Sequence, residues 1–88
     1  IKKPVALVVD DDKDVRAVFS MILKQEMYEV IEASNGLEGL EKIYERCPKI
    51  ILCDLMMPVM DGLTMLEKLR EDADFGKNAA VILLTFRN

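Results

Sequence analysis

The stretch IILCDLMMPVMDG, residues 50–62, decides the fold. It begins with a continuous apolar run, which is typical of a strand that is buried on both faces of a sheet. After Asp54 it continues into Pro58, Asp61 and Gly62, residues that favour a turn ahead of a helix. The stretch therefore predicts a buried strand that ends in a carboxylate.

Three further apolar runs lie at residues 5–9, 28–33 and 79–85, and segments with helical spacing separate them. The apolar residues of these helices are Val15, Val18, Phe19, Ile22 and Leu23 in the first, Leu37, Leu40, Ile43 and Tyr44 in the second, and Leu63, Leu66 and Leu69 in the third. The order β-α-β-α-β-α-β predicts an α/β fold with a doubly wound parallel sheet. Two glutamates in the 28–33 run predict that this strand lies at an edge.

Punctuating residues divide these elements. Ser34 or Asn35 is expected to cap the second helix, and Pro48 to end it. Residues 72–78, rich in Asp, Gly and Asn, are expected to form a loop.

Composition limits the class of protein. The 88 residues suffice for one domain, and a net charge of -4 with scattered Lys and Arg argues against a nucleic-acid-binding face. The chain has no His and no C-x-x-C pair, so Cys47 and Cys53 are expected to be reduced core thiols. No apolar run approaches the roughly 20 residues that cross a bilayer. With no signal-peptide pattern ahead of Ile1, a segment of a cytoplasmic protein is expected.

Acidic residues follow two of the predicted strands. Asp10, Asp11 and Asp12 follow the first, Asp54 follows the third, and Thr85 ends the fourth. In a parallel sheet these points share one edge, where ligands bind at the reversal of strand order. Crowded carboxylates favour a hard cation such as Mg²⁺, and a carboxylate beside it can act as a nucleophile toward a phosphoryl donor. A hydroxyl such as Thr85 can bond a phosphoryl oxygen.

A simpler interpretation applies to some of these residues, because acidic side chains ahead of a helix cap it and complement its dipole. That interpretation is preferred for Asp12, and for Asp10 and Asp11 both interpretations stay open. Asp54 is different, because the Leu-Met-Met that follows it is not a helix-capping context. Thr85 alone is an ordinary strand residue.

Two motifs resemble one family. VVDDD, residues 8–12, resembles the acidic signature of receiver domains from two-component response regulators, chemotaxis-regulator-like proteins of phosphorelays. Residues 54–62 resemble their phosphoacceptor loop, D-x-x-M-P-x-M-D-G, and NGLEGL at 35–40 is similar to their helix start N-G-x-E-A-L. The resemblance covers the whole chain. It implies that residues 1–88 are a partial receiver domain with a flavodoxin-like fold, missing the last helix, strand and helix.

The resemblance also implies roles for individual residues. Asp54 would accept a phosphoryl group from a phosphohistidine on a sensor histidine kinase. The side chains of Asp11 and Asp54 and the backbone carbonyl of Met56 would bind Mg²⁺, and Asp10 would help to hold the metal through a water. Thr85 would bond the phosphoryl group and move on activation. Such a domain is a regulatory phosphoacceptor that assists its own phosphorylation and dephosphorylation, not a turnover enzyme.

The same resemblance implies that Pro58 and Gly62 shape the phosphoacceptor loop and that Met57 and Met60 anchor it in the core. The chain departs from the family pattern in two places. The family lysine that pairs with the phosphoryl group belongs to a fifth strand, and neither Lys77 nor Arg87 is expected to replace it. Phe86 stands where the family usually has a small residue.

Two alternatives remain. The chain would be a receiver-like scaffold that is inactive in phosphotransfer and associates through the exposed edge of its fourth strand. Otherwise Asp10 and Asp12 would form the D-x-D motif of an aspartate-nucleophile phosphatase. The phosphatase alternative is weaker, because Asp14 stands where that motif has Thr or Val and because residues 54–62 are left unexplained.

Overall fold

The computed structural model describes residues 2–54, 57 and 59–71, and the backbone of 80–84. Within these residues strands and helices alternate along the chain. They are β1 (Val5–Val9), α1 (Lys13–Gln25), β2 (Glu29–Ala33), α2 (Gly36–Arg46), β3 (Ile50–Asp54), α3 (Gly62–Glu71) and β4 (Ala80–Leu84). The predicted α/β order is therefore confirmed, while the loop predicted at 72–78 lies outside the described residues. None of the described helices is long and apolar enough to cross a membrane.

The strands form a parallel sheet in the order β2-β1-β3-β4. β1 pairs with both β2 and β3, so that Val9 lies between Ala33 and Cys53. The direction of strand addition reverses between β1 and β3, which is where α/β sheets of this kind bind ligands. β2 forms one edge, as its exposed residues Glu29 and Glu32 predict, and β4 forms the other edge of the described sheet.

Side chains alternate along each strand, so the core has two layers. On one face the sheet packs against α2 and α3, in the cluster Leu7, Val9, Ala33, Leu40, Ile43, Ile51, Cys53, Met65 and Leu69. On the other face it packs against α1, where Leu23 joins Ala6, Val8 and Leu52 and where Phe19 and Tyr28 pack alongside. The prediction of helices on both faces is confirmed.

The predicted helix stripes are broader than the buried ones. Leu23, Leu40 and Ile43 lie at the centres of their stripes and are buried. Several predicted stripe residues are instead exposed: Val18, Ile22, Leu37, Tyr44 and Leu63. A single helix on a sheet buries the middle of an apolar stripe, while the flanks project to either side.

The stripe predicted for α3 is correct at Leu69 but wrong at Leu63. Leu63 is 54% exposed, whereas Met65, which the prediction omitted, is fully buried together with Leu69. A step of three residues turns through roughly 300° of a helix, so residues spaced three apart drift around its surface. Met65 and Leu69, four apart, stay on one face.

The starts of α1 and α2 are capped by side chains that were predicted to cap them. Asp12 Oδ1 accepts hydrogen bonds from the amides of Asp14 and Val15 at 2.8 and 3.4 Å. Asn35 Oδ1, rather than Ser34, accepts from the amide of Glu38 at 2.9 Å. The preferred interpretation of Asp12 as a cap is therefore confirmed.

Two helices end at non-glycine residues in the left-handed conformation. Cys47 (φ 47°) follows α2, ahead of Pro48, and its side chain is exposed, so the expectation of two core thiols is correct only for Cys53. After α1, Met27 has φ 69°, its amide donates to Lys24 O at 3.1 Å, and the amide of Tyr28 donates to Leu23 O at 3.1 Å. This is the Schellman motif, in which glycine is usual.

Replacing Met27 by glycine is expected to stabilise the fold by about 1 kcal/mol, because glycine adopts positive φ without the Cβ penalty. Met27 is 62% exposed, so little packing is lost. Urea unfolding measures the change. Met27→Ala is the control, since alanine keeps the Cβ. Equal stabilities for the two variants would contradict a Cβ penalty at this residue.

Gly62 allows α3 to start against the end of β3. A Cβ at this residue would lie 2.6 Å from the backbone oxygen of Asp54 and 3.1 Å from Cys53 Sγ. A Cβ at Gly39 would instead meet Met65 Sδ at 3.0 Å and Val9 Cγ2 at 3.2 Å, which are side-chain atoms. A Cβ at Gly62 would therefore require backbone atoms to move, whereas a Cβ at Gly39 would require only side-chain atoms to move.

Gly62→Ala is expected to lower the free energy of unfolding by about 2 kcal/mol or more, because the backbone of Asp54 must move. Gly39→Ala is expected to change it by less than about 1 kcal/mol, since the gain in helix propensity offsets a small side-chain adjustment. Denaturant unfolding of both variants is the measurement. A cost for Gly39→Ala that matched the cost for Gly62→Ala would refute the contrast.

Candidate functional site

The carboxyl ends of β1 and β3 bring three acidic side chains together. The register pairs Val9 with Cys53, so the chain leaves the sheet side by side at Asp10 and Asp54. One carboxylate oxygen each from Asp10, Asp11 and Asp54 lie within 4.8 Å of one another. The structure therefore gathers three of the predicted site residues in one group, called here the acidic cluster.

Burial distinguishes the members of the acidic cluster. Asp10 and Asp54 are each 4% exposed, whereas Asp11 is half-buried at its mouth. Burial raises the pKa of Asp10, and the neighbouring charges of Asp54 and Asp11 raise it too, although the amide of Asp12, which donates to Asp10 Oδ1 at 2.9 Å, acts in the opposite direction. Negative charge is therefore costly here without a cation, and a cation has access from the Asp11 side.

The donor set fits Mg²⁺. All three side chains offer carboxylate oxygens, the ligands that this ion prefers. In an octahedron with bonds of about 2.1 Å, neighbouring ligand oxygens are about 3.0 Å apart and opposite ones about 4.2 Å. The carboxylate oxygens lie within 4.8 Å of one another, so two that bind the ion directly must draw closer, whereas one that binds through a water can stay farther away. The acidic cluster can therefore hold such an ion, with water and substrate at the remaining positions.

Cys53 lies beside Asp54 but is unsuited to be a nucleophile. It is fully buried, and burial, together with the charges of Asp54, Asp10 and Asp61, raises the pKa of its thiol to about 12. Reactive thiols instead have a lowered pKa and solvent access. Asp54 is therefore the nucleophilic candidate at the end of β3.

The segment that follows β3 is anchored at its far end. Asp61 Oδ1 accepts from the amide of Thr64 at 2.8 Å, and this hydrogen bond lowers the pKa of Asp61. The amide of Gly36, at the start of α2, donates to the carbonyl of Met60 at 3.0 Å. Met57 and Met60 pack against the core, as predicted for loop anchors.

Several predicted site features cannot be placed in the structure. Met56 and Thr85 lie outside the described residues, so their roles as metal ligand and phosphoryl contact stay predictions. The same applies to Pro58, Lys77, Phe86 and Arg87. Asp12 is placed, but its Oδ1 caps α1.

Arg16 was not predicted from the sequence to belong to the site. Its Nη1 donates to the backbone oxygen of Asp10 at 2.7 Å, and its Nε donates to Glu32 Oε1 at 3.0 Å. The available signal was its position one turn after the helix cap Asp12, from which a long side chain can reach back to the end of β1.

Known proteins are similar to this chain in sequence and in fold. The family profile described as "Response regulator receiver domain" matches residues 6–88. The transcriptional regulatory protein SrrA of Staphylococcus aureus is 43% identical over 79 residues, which are 90% of this chain and 31% of SrrA. The chain thus spans about a third of the length of this curated relative.

Solved structures agree. The chemotaxis protein CheY4 of Vibrio cholerae matches with a TM-score of 0.88 at 30% identity, over 99% of this chain and 72% of that one. The N-terminal domain of a response regulator receiver protein from Methanoculleus marisnigri JR1 matches with a TM-score of 0.86 at 35% identity, over 94% of this chain and 67% of that one. By profile, sequence and fold, this chain belongs to the response regulator receiver domain family.

Proposed function

We propose that this chain is a phosphoacceptor in which Asp54 takes a phosphoryl group while Mg²⁺ is bound by Asp11 and Asp54 directly and by Asp10 mainly through a water. The observation that carries the proposal is the acidic cluster, with its oxygens within 4.8 Å of one another. Membership in the receiver family supports it, because receiver domains receive their phosphoryl groups from sensor histidine kinases. A sensor histidine kinase is therefore the proposed donor, and the cytoplasm the proposed location.

The proposed reaction is a direct transfer. A carboxylate oxygen of Asp54 forms a bond to phosphorus, while the bond from phosphorus to the donor imidazole nitrogen breaks and its electron pair returns to that ring. When bound, Mg²⁺ neutralises charge on the transferring group. Asp54 is held by the last pairing of β3, so the nucleophile is positioned before the donor arrives.

The product is an acyl phosphate whose hydrolysis restores the Asp54 carboxylate. The chain is thus proposed to be a regulatory switch that assists both steps, not a turnover enzyme. The phosphoryl group carries a charge of about -1.5 to -2, which replaces the single negative charge of the Asp54 carboxylate at this edge of the sheet. Met56 is proposed to contribute its carbonyl to the metal, and Thr85 its hydroxyl to the phosphoryl group, which biases a two-state surface that an effector reads. No direct contact with nucleic acid is proposed for this segment.

Incubation with acetyl phosphate and Mg²⁺ is expected to add a single phosphoryl group to the chain and none to Asp54→Asn. Intact-mass spectrometry detects the adduct. Asp61→Asn is the matched control, because asparagine keeps the cap of α3 and Asp61 is not in the acidic cluster. An adduct on Asp54→Asn, or no adduct on the parent chain, would contradict the proposal, as would turnover of a generic phosphate ester.

Asp11→Asn is expected to weaken Mg²⁺ binding by about tenfold or more, since changes even in the outer shell of a metal site commonly cost that much. Asp12→Asn should bind like the parent chain, because asparagine still caps α1 and Asp12 is not in the acidic cluster. Calorimetric titration measures both affinities. Equal losses for the two variants would place the metal elsewhere on the Asp10–Asp12 run.

A second candidate role is association through β4, which forms an edge of the described sheet. A strand edge offers backbone groups to another chain, and pairing there would not require phosphotransfer. Light scattering at high protein concentration tests it. A monomeric mass would exclude the role, whereas an oligomer that Asp54→Asn leaves unchanged would support it.

A further inference from the structure

We propose that Arg16 is a positioning residue for the acidic cluster, one that sets its affinity for Mg²⁺ by fixing the main chain at Asp10. The inference rests on the proposed function, because Mg²⁺ is the ligand whose binding Arg16 would control. Arg16 contacts neither the metal nor the phosphoryl group in this account. It acts through the peptide that joins Asp10 to Asp11.

Arg16 links three elements. From α1 it reaches back to the end of β1, where Nη1 donates to the carbonyl of Asp10 at 2.7 Å. Its Nε donates to Glu32 Oε1 on β2 at 3.0 Å. The Arg16 side chain is 19% exposed, whereas that of Glu32 is 43% exposed. The guanidinium is therefore held in a partly desolvated place, where a short charge-assisted hydrogen bond is strong.

The bond to Asp10 completes a set of restraints on the residue that opens the acidic cluster. The amide of Asp10 donates to Ala33 O at 3.1 Å, and its Oδ1 accepts from the amide of Asp12 at 2.9 Å. Arg16 adds a restraint on the remaining backbone group, the carbonyl. Because this carbonyl belongs to the same peptide plane as the amide of Asp11, holding it also fixes where the Asp11 side chain starts.

A purely structural role for Arg16 predicts a different result. The Arg16–Glu32 pair is half-exposed, and ion pairs of that kind contribute little to stability. α2 offers a matched pair, in which Arg46 bonds Glu29 at the other end of β2. Both arginines join a helix to β2, but Glu29 is the first residue of that strand and so lies away from the acidic cluster. Comparing variants of the two pairs distinguishes the loss of a helix–strand contact from an effect on the acidic cluster.

Calorimetric titration with Mg²⁺ of the parent chain, Arg16→Met and Arg46→Met tests the inference. Arg16→Met is expected to weaken Mg²⁺ binding about tenfold, the usual size of an outer-shell effect, while Arg46→Met binds like the parent. Arg16→Lys should be intermediate, because a lysine can hold the carbonyl or Glu32 but lacks the planar fork that holds both. Metal-free thermal melts should show similar, small losses for the two methionine variants.

A kinetic readout accompanies the titration. With acetyl phosphate, Arg16→Met should be phosphorylated more slowly at limiting Mg²⁺ and approach the parent rate at saturating Mg²⁺. Glu32→Gln keeps an acceptor for Nε and is the milder variant if Arg16→Met does not fold; its Mg²⁺ affinity should fall by less than tenfold but measurably.

The outcomes distinguish failure of the proposed role of Arg16 from failure of the proposed function. Parent-like Mg²⁺ affinity in both Arg16→Met and Glu32→Gln, or an equal loss in Arg46→Met, would overturn the role of Arg16 and leave the proposed function standing. No Mg²⁺ binding by the parent chain would contradict the proposed function, and the role of Arg16 with it.

Discussion

The parallel pairing of β1 with β3 is the constraint on which the site depends. Both strands run in the same direction and lie side by side, so their last residues reach the same edge of the sheet. A shift of this pairing by one residue would reverse the faces of every β3 side chain and separate Asp10 from Asp54. The register is held by burial on both sides, because Leu7 and Ile51 face one core layer and Val8 and Leu52 the other.

The acidic cluster is a local electrostatic conflict that this packing enforces. Loss of hydration on burial raises the pKa of Asp10, and repulsion from the charges of Asp54 and Asp11 raises it further. The surrounding backbone offsets part of the cost through the amide of Asp12. A divalent cation would offset much more, and a site that is costly when empty binds a cation with correspondingly more gain. In this respect the site sacrifices stability for function.

Two glycines let the backbone of α3 and α2 come close to the end of β3 and to Met60. The absence of a Cβ at Gly62 lets α3 begin against the carbonyl of Asp54. Gly36 approaches the carbonyl of Met60 in the same way and donates its amide to it. These glycines bring the backbone of α3 and α2 against the carbonyls of Asp54 and Met60, respectively.

The sequence predicted best those features that depend on the order of residues along the chain, such as which segments form strands and which residues follow them. Continuous apolar runs predicted the parallel strands, and acidic residues at strand ends predicted the convergence of Asp10, Asp11 and Asp54. Prediction failed where three-dimensional packing decides: Met65 replaced Leu63 on the buried face of α3, because helix rotation depends on the facing strand. Arg16 was missed for a related reason, since its partners Asp10 and Glu32 meet only after β1 and β2 pair.

The most direct test that the acidic cluster binds a divalent cation is paramagnetic broadening of amide signals by Mn²⁺. This ion takes the same oxygen ligands as Mg²⁺. In a titration of ¹⁵N-labelled protein, the amides of residues 10–12 and of Asp54 are expected to broaden first and together. The broadening should disappear when excess Mg²⁺ is added. Early broadening at acidic surface residues such as Glu41 and Glu45 of α2, with the ends of β1 and β3 unaffected, would contradict a metal site at the acidic cluster.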